Sequence, residues 1–140
     1  MPTVRIGRVK IGESPKLVAA ITTPQRVSQL AQAKSSGADL AELRLDYLAH
    51  WPEDQILNAV KRAARTSDLP LIATLRTPRE GGAQKDGVVA DEQRREALFK
   101  SLMPYVHAVD IELSSPILGD VVAAAHKQGI VTIVSYHHFQ

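Results

Sequence analysis

Residues 40–46 read Leu40-Ala41-Glu42-Leu43-Arg44-Leu45-Asp46, a run in which apolar and charged residues alternate. Successive side chains of a β-strand point to opposite faces, so the aliphatic residues share one face and the charged residues share the other. The alternation recurs in Leu71–Arg76, in Val109–Leu113 and in Val134–His137. A strand covered by helices on both faces would instead be almost continuously apolar. The pattern therefore indicates strands with one face on helices and one face that carries ionisable groups.

Strand-like runs alternate with helix-like segments along the chain. The predicted strands are Leu17–Ile21, Leu40–Leu45, Leu71–Leu75, Val106–Leu113 and Ile130–Ser135. Helical periodicity lies between them, over about Pro24–Ser36, Pro52–Thr66, Asp91–Met103 and Ile117–Lys127. This spacing is close to the roughly 30 residues of a βαβ unit, which predicts a parallel sheet with right-handed crossovers. Ahead of the sheet, Val4–Ile6 and Val9–Ile11 predict a small hairpin around Gly7-Arg8.

The ionisable residues concentrate towards the carboxyl ends of the predicted strands. This placement is typical of a (β/α)8 barrel of the TIM type, in which the strand ends converge on one site. Complete barrels of this type have roughly 250 residues, whereas this chain has 140. We therefore expect an α/β fold in which residues 1–140 form a single partial (β/α)8-barrel domain. It would hold about the first five strands and four helices, preceded by the hairpin.

Composition excludes several classes of protein. The chain has no cysteine, which excludes disulfides, thiolate nucleophiles and zinc–thiolate sites. A net charge of +2 with three Tyr, two Phe and one Trp offers little to a nucleic acid. No run approaches about 18 apolar residues, and the amino terminus lacks the apolar centre of a secretory signal. We expect no nucleic-acid or membrane partner, and a cytoplasmic location.

The alternation sends a ring of ionisable side chains inward, and Glu80 follows on the loop after the third strand. The ring consists of Glu42, Arg44, Arg76, Asp110, Glu112 and His137. Its arginines suit a bidentate grip on a carboxylate or on substrate hydroxyls. His137 can transfer a proton near neutral pH, and Glu80 or Glu112 would fix its tautomer. Alternatively, Glu42, Arg44, Asp110 and Glu112 form a layer of ion pairs that satisfy one another and do no chemistry.

Four motifs, in order and spacing, resemble type I 3-dehydroquinate dehydratase. They are Ala41–Asp46, Ala73–Thr77 with Glu80-Gly81-Gly82, Val109–Leu113 and Ser135–Phe139. The resemblance implies a (β/α)8 barrel of the shikimate pathway, which serves aromatic amino acid biosynthesis. Such an enzyme converts 3-dehydroquinate to 3-dehydroshikimate by loss of water, through a Schiff base between a lysine and the substrate ketone. It uses no metal, and we expect no cofactor.

The resemblance also implies roles for the inward residues. His137 would transfer protons and Glu80 would orient it; Glu42, Arg44 and Arg76 would contact the substrate; Asp110 and Glu112 would support the ring. His138 stands where the family usually has Asp or Asn. The family's Schiff-base lysine lies on the strand after His137, whereas the seven lysines here fall on hairpin, strand-start, loop or helix positions. We therefore expect the chain to lack that lysine.

The net charge of the ring is consistent with a site that further strands would complete. Its four carboxylates, Glu80 included, outnumber its two arginines by two. A lysine and an arginine from further strands would cancel this surplus.

Two other hypotheses come from different classes. The chain could be a catalytically silent half-barrel that binds a small polyol acid or assembles with a partner chain. It could also be a metal-dependent barrel with Glu42, Asp110, Glu112 and His137 as ligands, although the two arginines would oppose a divalent cation.

The fifth predicted strand bears on assembly. Ile130–Val134 has no proline and no charge, and its β-propensity is high. In a partial barrel this last strand has one side unpaired. Since an unpaired strand edge can pair with another chain, we expect a homodimer or larger assembly through it.

Overall fold

The computed structural model describes residues 3–139. A hairpin comes first, with β1 (Val4–Ile6) antiparallel to β2 (Val9–Ile11). Five further strands follow: β3 (Val18–Ile21), β4 (Leu40–Arg44), β5 (Leu71–Thr74), β6 (Ala108–Glu112) and β7 (Val131–Ser135). Four helices alternate with them: α1 (Ser28–Ser35), α2 (Glu53–Thr66), α3 (Glu92–Leu102) and α4 (Leu118–Lys127). No helix within the described range has the length and apolar character that crossing a membrane requires.

Strands β3 to β7 form one parallel sheet in sequence order, β3-β4-β5-β6-β7. Each strand therefore neighbours the next one along the chain, and a helix makes each crossover. The register places Thr74 opposite Asp110 and Glu112 opposite Ser135. This arrangement confirms the predicted hairpin and parallel α/β sheet, and it brings the polar strand ends to one edge.

Some element boundaries differ from the prediction. β4 ends at Arg44 rather than Leu45, because residues 45–48 wind into a 3-10 helix. The first helix begins at Ser28 rather than Pro24, because Arg26 N–H donates to Thr23 C=O at 2.9 Å in a separate turn. The strand predicted over Val106–Leu113 is shorter at both ends.

The apolar core lies between the sheet and the helices. From β4, Ala41, Leu43 and the following Leu45 point into it. Helix α2 contributes a buried stripe with i, i+3, i+4 and i+7 spacing, consisting of Ile56, Ala59, Val60 and Ala63. The aliphatic face predicted from residues 40–46 is therefore the helix-covered face.

The opposite side of the sheet, which we call the inner face, has two zones. It consists of the even-numbered side chains of β4 to β6 and the odd-numbered ones of β7. Towards the amino ends it is apolar and packs on the hairpin; these residues are Leu40, Ile72, Ala108, Val131 and Ile133, against Ile6, Val9 and Ile11. Towards the carboxyl ends it is polar, and this zone contains the candidate site.

Candidate active site

His137 lies just beyond β7 and faces Glu80, which ends a 3-10 turn (Pro78–Glu80) after β5. Glu80 Oε1 accepts the backbone N–H of His137 at 2.8 Å and lies 3.3 Å from its ring Nδ1. A carboxylate oxygen only accepts, so Nδ1 carries the hydrogen and Nε2 of the neutral ring is left as the basic atom. The structure thus pairs His137 with Glu80, the first of the two carboxylates that the sequence offered.

Glu80 is buried, yet it is held as a carboxylate. Burial raises its pKa, but hydrogen bonds from the His137 backbone, the Ser114 hydroxyl and the His137 ring outweigh this and bring the pKa below its ordinary value. The Ser114 hydroxyl donates to Oε2 at 2.9 Å. The Glu80 carboxylate thus fixes the orientation of the His137 ring through Nδ1.

Arg76 lies at the centre of a buried ion-pair cluster. Its Nη1 donates to Glu112 Oε2 at 2.8 Å and to the Ser135 hydroxyl at 2.9 Å, while Nη2 lies 2.9 Å from Asp110 Oδ1. Ser135 in turn donates to Asp110 Oδ1 at 2.6 Å. Residues of β6 and β7 thus fix the plane of the guanidinium, which itself extends from the segment after β5. Only 5% of Arg76 is exposed, so few of its donors can face a ligand.

Arg95 is the principal member of the cluster that the sequence analysis missed. It comes from α3, is wholly buried, and its Nη2 donates to Glu112 Oε1. The signal lies in the helix itself, where Arg95 stands in one stripe with Leu98, Phe99 and Leu102. A charged residue in a core stripe requires a buried partner of opposite charge.

Arg44 is also paired. Asp46, wholly buried, accepts its Nε at 2.9 Å and its Nη2 at 2.8 Å. This hydrogen-bonded pair raises the pKa of Arg44 above its ordinary value. Asp46 Oδ2 also accepts the backbone N–H of Ala83 at 2.9 Å, which ties the loop after β5 to the end of β4. The sequence placed Asp46 on the strand beside Arg44; the structure places it in the 3-10 helix, where it can turn back onto the arginine.

Glu42 differs from the other inward carboxylates of the strands because its hydrogen-bond partner is a hydroxyl and not an arginine. It is half-buried on β4 and accepts the Thr74 hydroxyl of β5 at 2.7 Å. The inward residues therefore form three groups along the strand ends: Glu42 with Thr74, Arg44 with Asp46, and the cluster around Arg76 beside the Glu80–His137 pair. Asp46 and Arg95 add one charge of each sign, so the surplus of two negative charges persists.

The proposed metal ligands do not converge. Among residues 3–139, no group of three or more His, Asp or Glu side chains could hold a metal ion. Asp110 and Glu112 are bonded to arginines instead. The metal-dependent hypothesis therefore has no ligand cluster in the part of the chain that the structure describes.

Comparison with known proteins decides the family. The model of the type I 3-dehydroquinase family matches residues 17–140. The chain belongs to the type I 3-dehydroquinase family. The 3-dehydroquinate dehydratase of Methanococcoides burtonii is 32% identical over 139 residues, which are 98% of this chain and 58% of that protein. The enzyme of the same name from Enterococcus faecalis is 33% identical over 150 residues, covering 100% of this chain and 58% of the relative.

Solved structures of 3-dehydroquinate dehydratases have the same fold over the length of this chain. The type I enzyme of Clostridium difficile superposes with a TM-score of 0.86 at 23% identity, over 99% of this chain and 57% of that chain. The Enterococcus faecalis 3-dehydroquinate dehydratase superposes with a TM-score of 0.73 at 32% identity, over 98% and 57%. This confirms the predicted family and partial TIM-type barrel. The chain spans about half the length of the relatives it matches.

Proposed function

We propose that this chain supplies the proton-transfer half of a 3-dehydroquinate dehydratase site. The whole site would convert 3-dehydroquinate to 3-dehydroshikimate by loss of water. This reaction belongs to the shikimate pathway, and the enzyme would be cytoplasmic. The observation that carries the proposal is the His137–Glu80 pair at the polar end of the inner face, with Nδ1 held on the carboxylate. Membership of the type I 3-dehydroquinase family supports it.

In the proposed reaction, Nε2 of His137 takes part in both proton transfers. In the family, a lysine amine condenses with the substrate ketone, which releases water and gives an iminium. The iminium acidifies the adjacent carbon; Nε2 removes that proton, and an enamine forms. The enamine electrons then expel the neighbouring hydroxyl, which leaves as water when the imidazolium returns the proton. Hydrolysis of the new iminium frees the lysine and the unsaturated ketone, so one water is lost overall.

The other inward residues take binding and supporting roles in this proposal. Glu42, Arg44 and Arg76 contact the substrate, and Asp110 and Glu112 support Arg76. The contacts of Arg76 suit a donor held in one orientation, with its remaining N–H groups available to a hydroxyl. The Schiff-base lysine comes from a strand that follows β7. Within residues 3–139 the lysines lie on the hairpin, before β3, on helices or on the loop after β5.

A catalytically silent half-barrel that binds a small polyol acid is the alternative. It is favoured by the lack of a lysine at the carboxyl ends of the described strands. Two measurements on the protein as its gene encodes it separate the two. Heat of binding with quinate, together with no turnover of 3-dehydroquinate, favours this alternative; turnover of 3-dehydroquinate rejects it.

Assembly is a further part of the proposal. β3 and β7 are the edge strands of the described sheet, and β7 carries neither proline nor charge. We propose that the 140-residue chain by itself pairs with a second copy through this edge, as a homodimer or a larger assembly.

Turnover by the protein as its gene encodes it tests the proposed reaction. Formation of the conjugated enone of 3-dehydroshikimate is followed by ultraviolet absorbance. His137→Gln should lower kcat by about 10²- to 10⁴-fold, since it removes the general base and acid. His138→Gln is the matched control, because the neighbouring His138 is exposed, and it should keep kcat near that of the wild type. Failure of the wild type to form the enone, or equal activity of the two variants, would contradict the proposal.

A further inference from the structure

Arg95 occupies a position where packing alone would place an aliphatic residue. It shares the buried stripe of α3 with Leu98, Phe99 and Leu102, at i, i+3, i+4 and i+7. The helix lies on the outer side of the sheet, yet the guanidinium reaches the end of β6. A buried ion pair is often no more stabilising than apolar residues of the same volume. Arg95 is therefore not explained by the core that it enters.

All three nitrogens of this guanidinium have partners. Nε donates to Leu75 C=O at 2.9 Å, and Nη1 donates to Glu92 Oε2 at 3.1 Å and to the Ser115 hydroxyl at 3.3 Å. Nη2 donates to Glu112 Oε1. These bonds reach the end of β5, the first turn of α3 and the loop after β6, so the position of the guanidinium is fixed from three sides.

Glu112 transmits this position to Arg76. Its side chain is 1% exposed, and each of its oxygens is bonded to a different arginine: Oε1 to Arg95 and Oε2 to Arg76, the latter at 2.8 Å. Arg76 and Arg95 together balance the charges of Asp110 and Glu112. Without Arg95, the cluster would hold an uncompensated negative charge, and Glu112 would be free to turn both oxygens towards Arg76.

We propose that Arg95 is a positioning residue: it holds one oxygen of Glu112 so that Arg76 presents a fixed guanidinium to the substrate. The effect on turnover rests on the proposed role of Arg76 as a substrate contact. Lysine cannot replace Arg95, because a single ammonium lacks the planar fork that joins Leu75, Ser115 and Glu112 at once.

The first test compares steady-state kinetics of Arg95→Lys and Arg95→Met in the protein as its gene encodes it. The KM for 3-dehydroquinate should rise about 10- to 100-fold with a much smaller change in kcat, because the substrate contact is displaced while the proton-transfer pair is intact. Arg94→Lys is the matched control, since the adjacent Arg94 pairs with Glu53 at the surface. In an Arg76→Lys background, Arg95→Lys should add no further increase. An unchanged KM, or an effect that adds in full to that of Arg76→Lys, would overturn the inference.

The second test needs no turnover, so it separates this inference from the proposed function. In ¹⁵N-labelled protein, the Nε–Hε resonance of Arg76 should shift in Arg95→Lys and stay in place in Arg94→Lys. If the wild type fails to dehydrate 3-dehydroquinate, the proposed function fails, while a shifted Arg76 resonance still supports the coupling. An unmoved resonance in folded Arg95→Lys would overturn it. Arg95→Lys keeps the charge, which protects the measurement if Arg95→Met does not fold.

Discussion

Glu80 and Glu112 are both buried carboxylates of the candidate site, but their partners differ in kind. Glu80 is held by neutral donors and by a histidine, whereas Glu112 lies between two arginines. A carboxylate beside a histidine can support reversible protonation of the ring. A carboxylate between two permanent cations fixes their positions instead. The partners therefore distinguish the proposed proton-transfer pair, Glu80 and His137, from the ion-pair cluster beside it.

Glu80→Gln tests the hydrogen bonds that lower the pKa of Glu80. A folded-state pKa below the unfolded one means that the stabilisation is present at neutral pH and is lost as the pH falls through the folded pKa. The variant should lose about 1–2 kcal/mol of unfolding free energy near neutral pH, and its difference from the wild type should shrink in acid. Urea unfolding across this pH range measures both, with the exposed Glu13→Gln as control. A difference that does not vary with pH would contradict the charge on Glu80.

Sequence alternation identifies which side chains point inward, and all seven candidate residues lie at the polar end of the sheet. It does not tell which of them pair. The alternation puts Arg44 and Asp46 on the same face of one strand, but it does not predict the 3-10 helix over residues 45–48 that turns Asp46 back onto Arg44. Arg95 was missed for the opposite reason: its signal lay in a helix stripe, away from the strand ends.

Among the connecting elements, the loop between β5 and α3 (residues 75–91) carries Glu80 and is tied to the segment after β4. Ala83 N–H donates to Asp46, and Val88 N–H donates to Ala49 C=O at 3.2 Å. Gly87 makes the second contact possible, since it has φ +76° and passes directly over the carbonyl of Ala49. The contact between this loop and the segment after β4 thus depends on a close backbone approach at Gly87.

Gly87→Ala should destabilise the protein by about 1–3 kcal/mol, because the residue needs a left-handed φ and a Cβ would overlap the Ala49 oxygen. Gly119→Ala in α4 is the matched control, because no atom outside its own stretch of helix lies within 4 Å of the added Cβ. This variant should be more stable than the wild type by up to about 1 kcal/mol. Urea denaturation of both variants checks the signs. A Gly87→Ala variant as stable as the wild type would show that the loop can lift away without cost.

At the scale of the whole molecule, the parallel sheet was predictable because strand and helix periods alternate at the spacing of βαβ units. The position of the hairpin relative to the sheet was not predictable. Strands of three residues carry too little pattern to show which face they cover, and here they pack on the apolar zone of the inner face. The hairpin thereby covers the apolar amino end of the inner face, and the candidate site lies at the opposite, polar end.

The open β7 edge gives a prediction for the isolated 140-residue chain. Light scattering over a dilution series should give at least twice the monomer mass of 15.3 kDa. Thr132→Lys adds a charge to this edge strand. It should lower the measured mass towards that of the monomer, or reduce the solubility of the chain. A well-folded monomer at high concentration would contradict pairing through β7.

Borohydride trapping with 3-dehydroquinate tests the central claim most directly. Borohydride reduces a Schiff base to a stable amine, and peptide mass spectrometry then locates the modified lysine. We predict that the 140-residue chain alone gives no adduct, whereas the complete Enterococcus faecalis relative, treated in parallel, gives one. In the protein as its gene encodes it, the adduct should map outside residues 1–140. An adduct on any of the seven lysines of this chain would contradict the assignment of these residues to the proton-transfer half of the site.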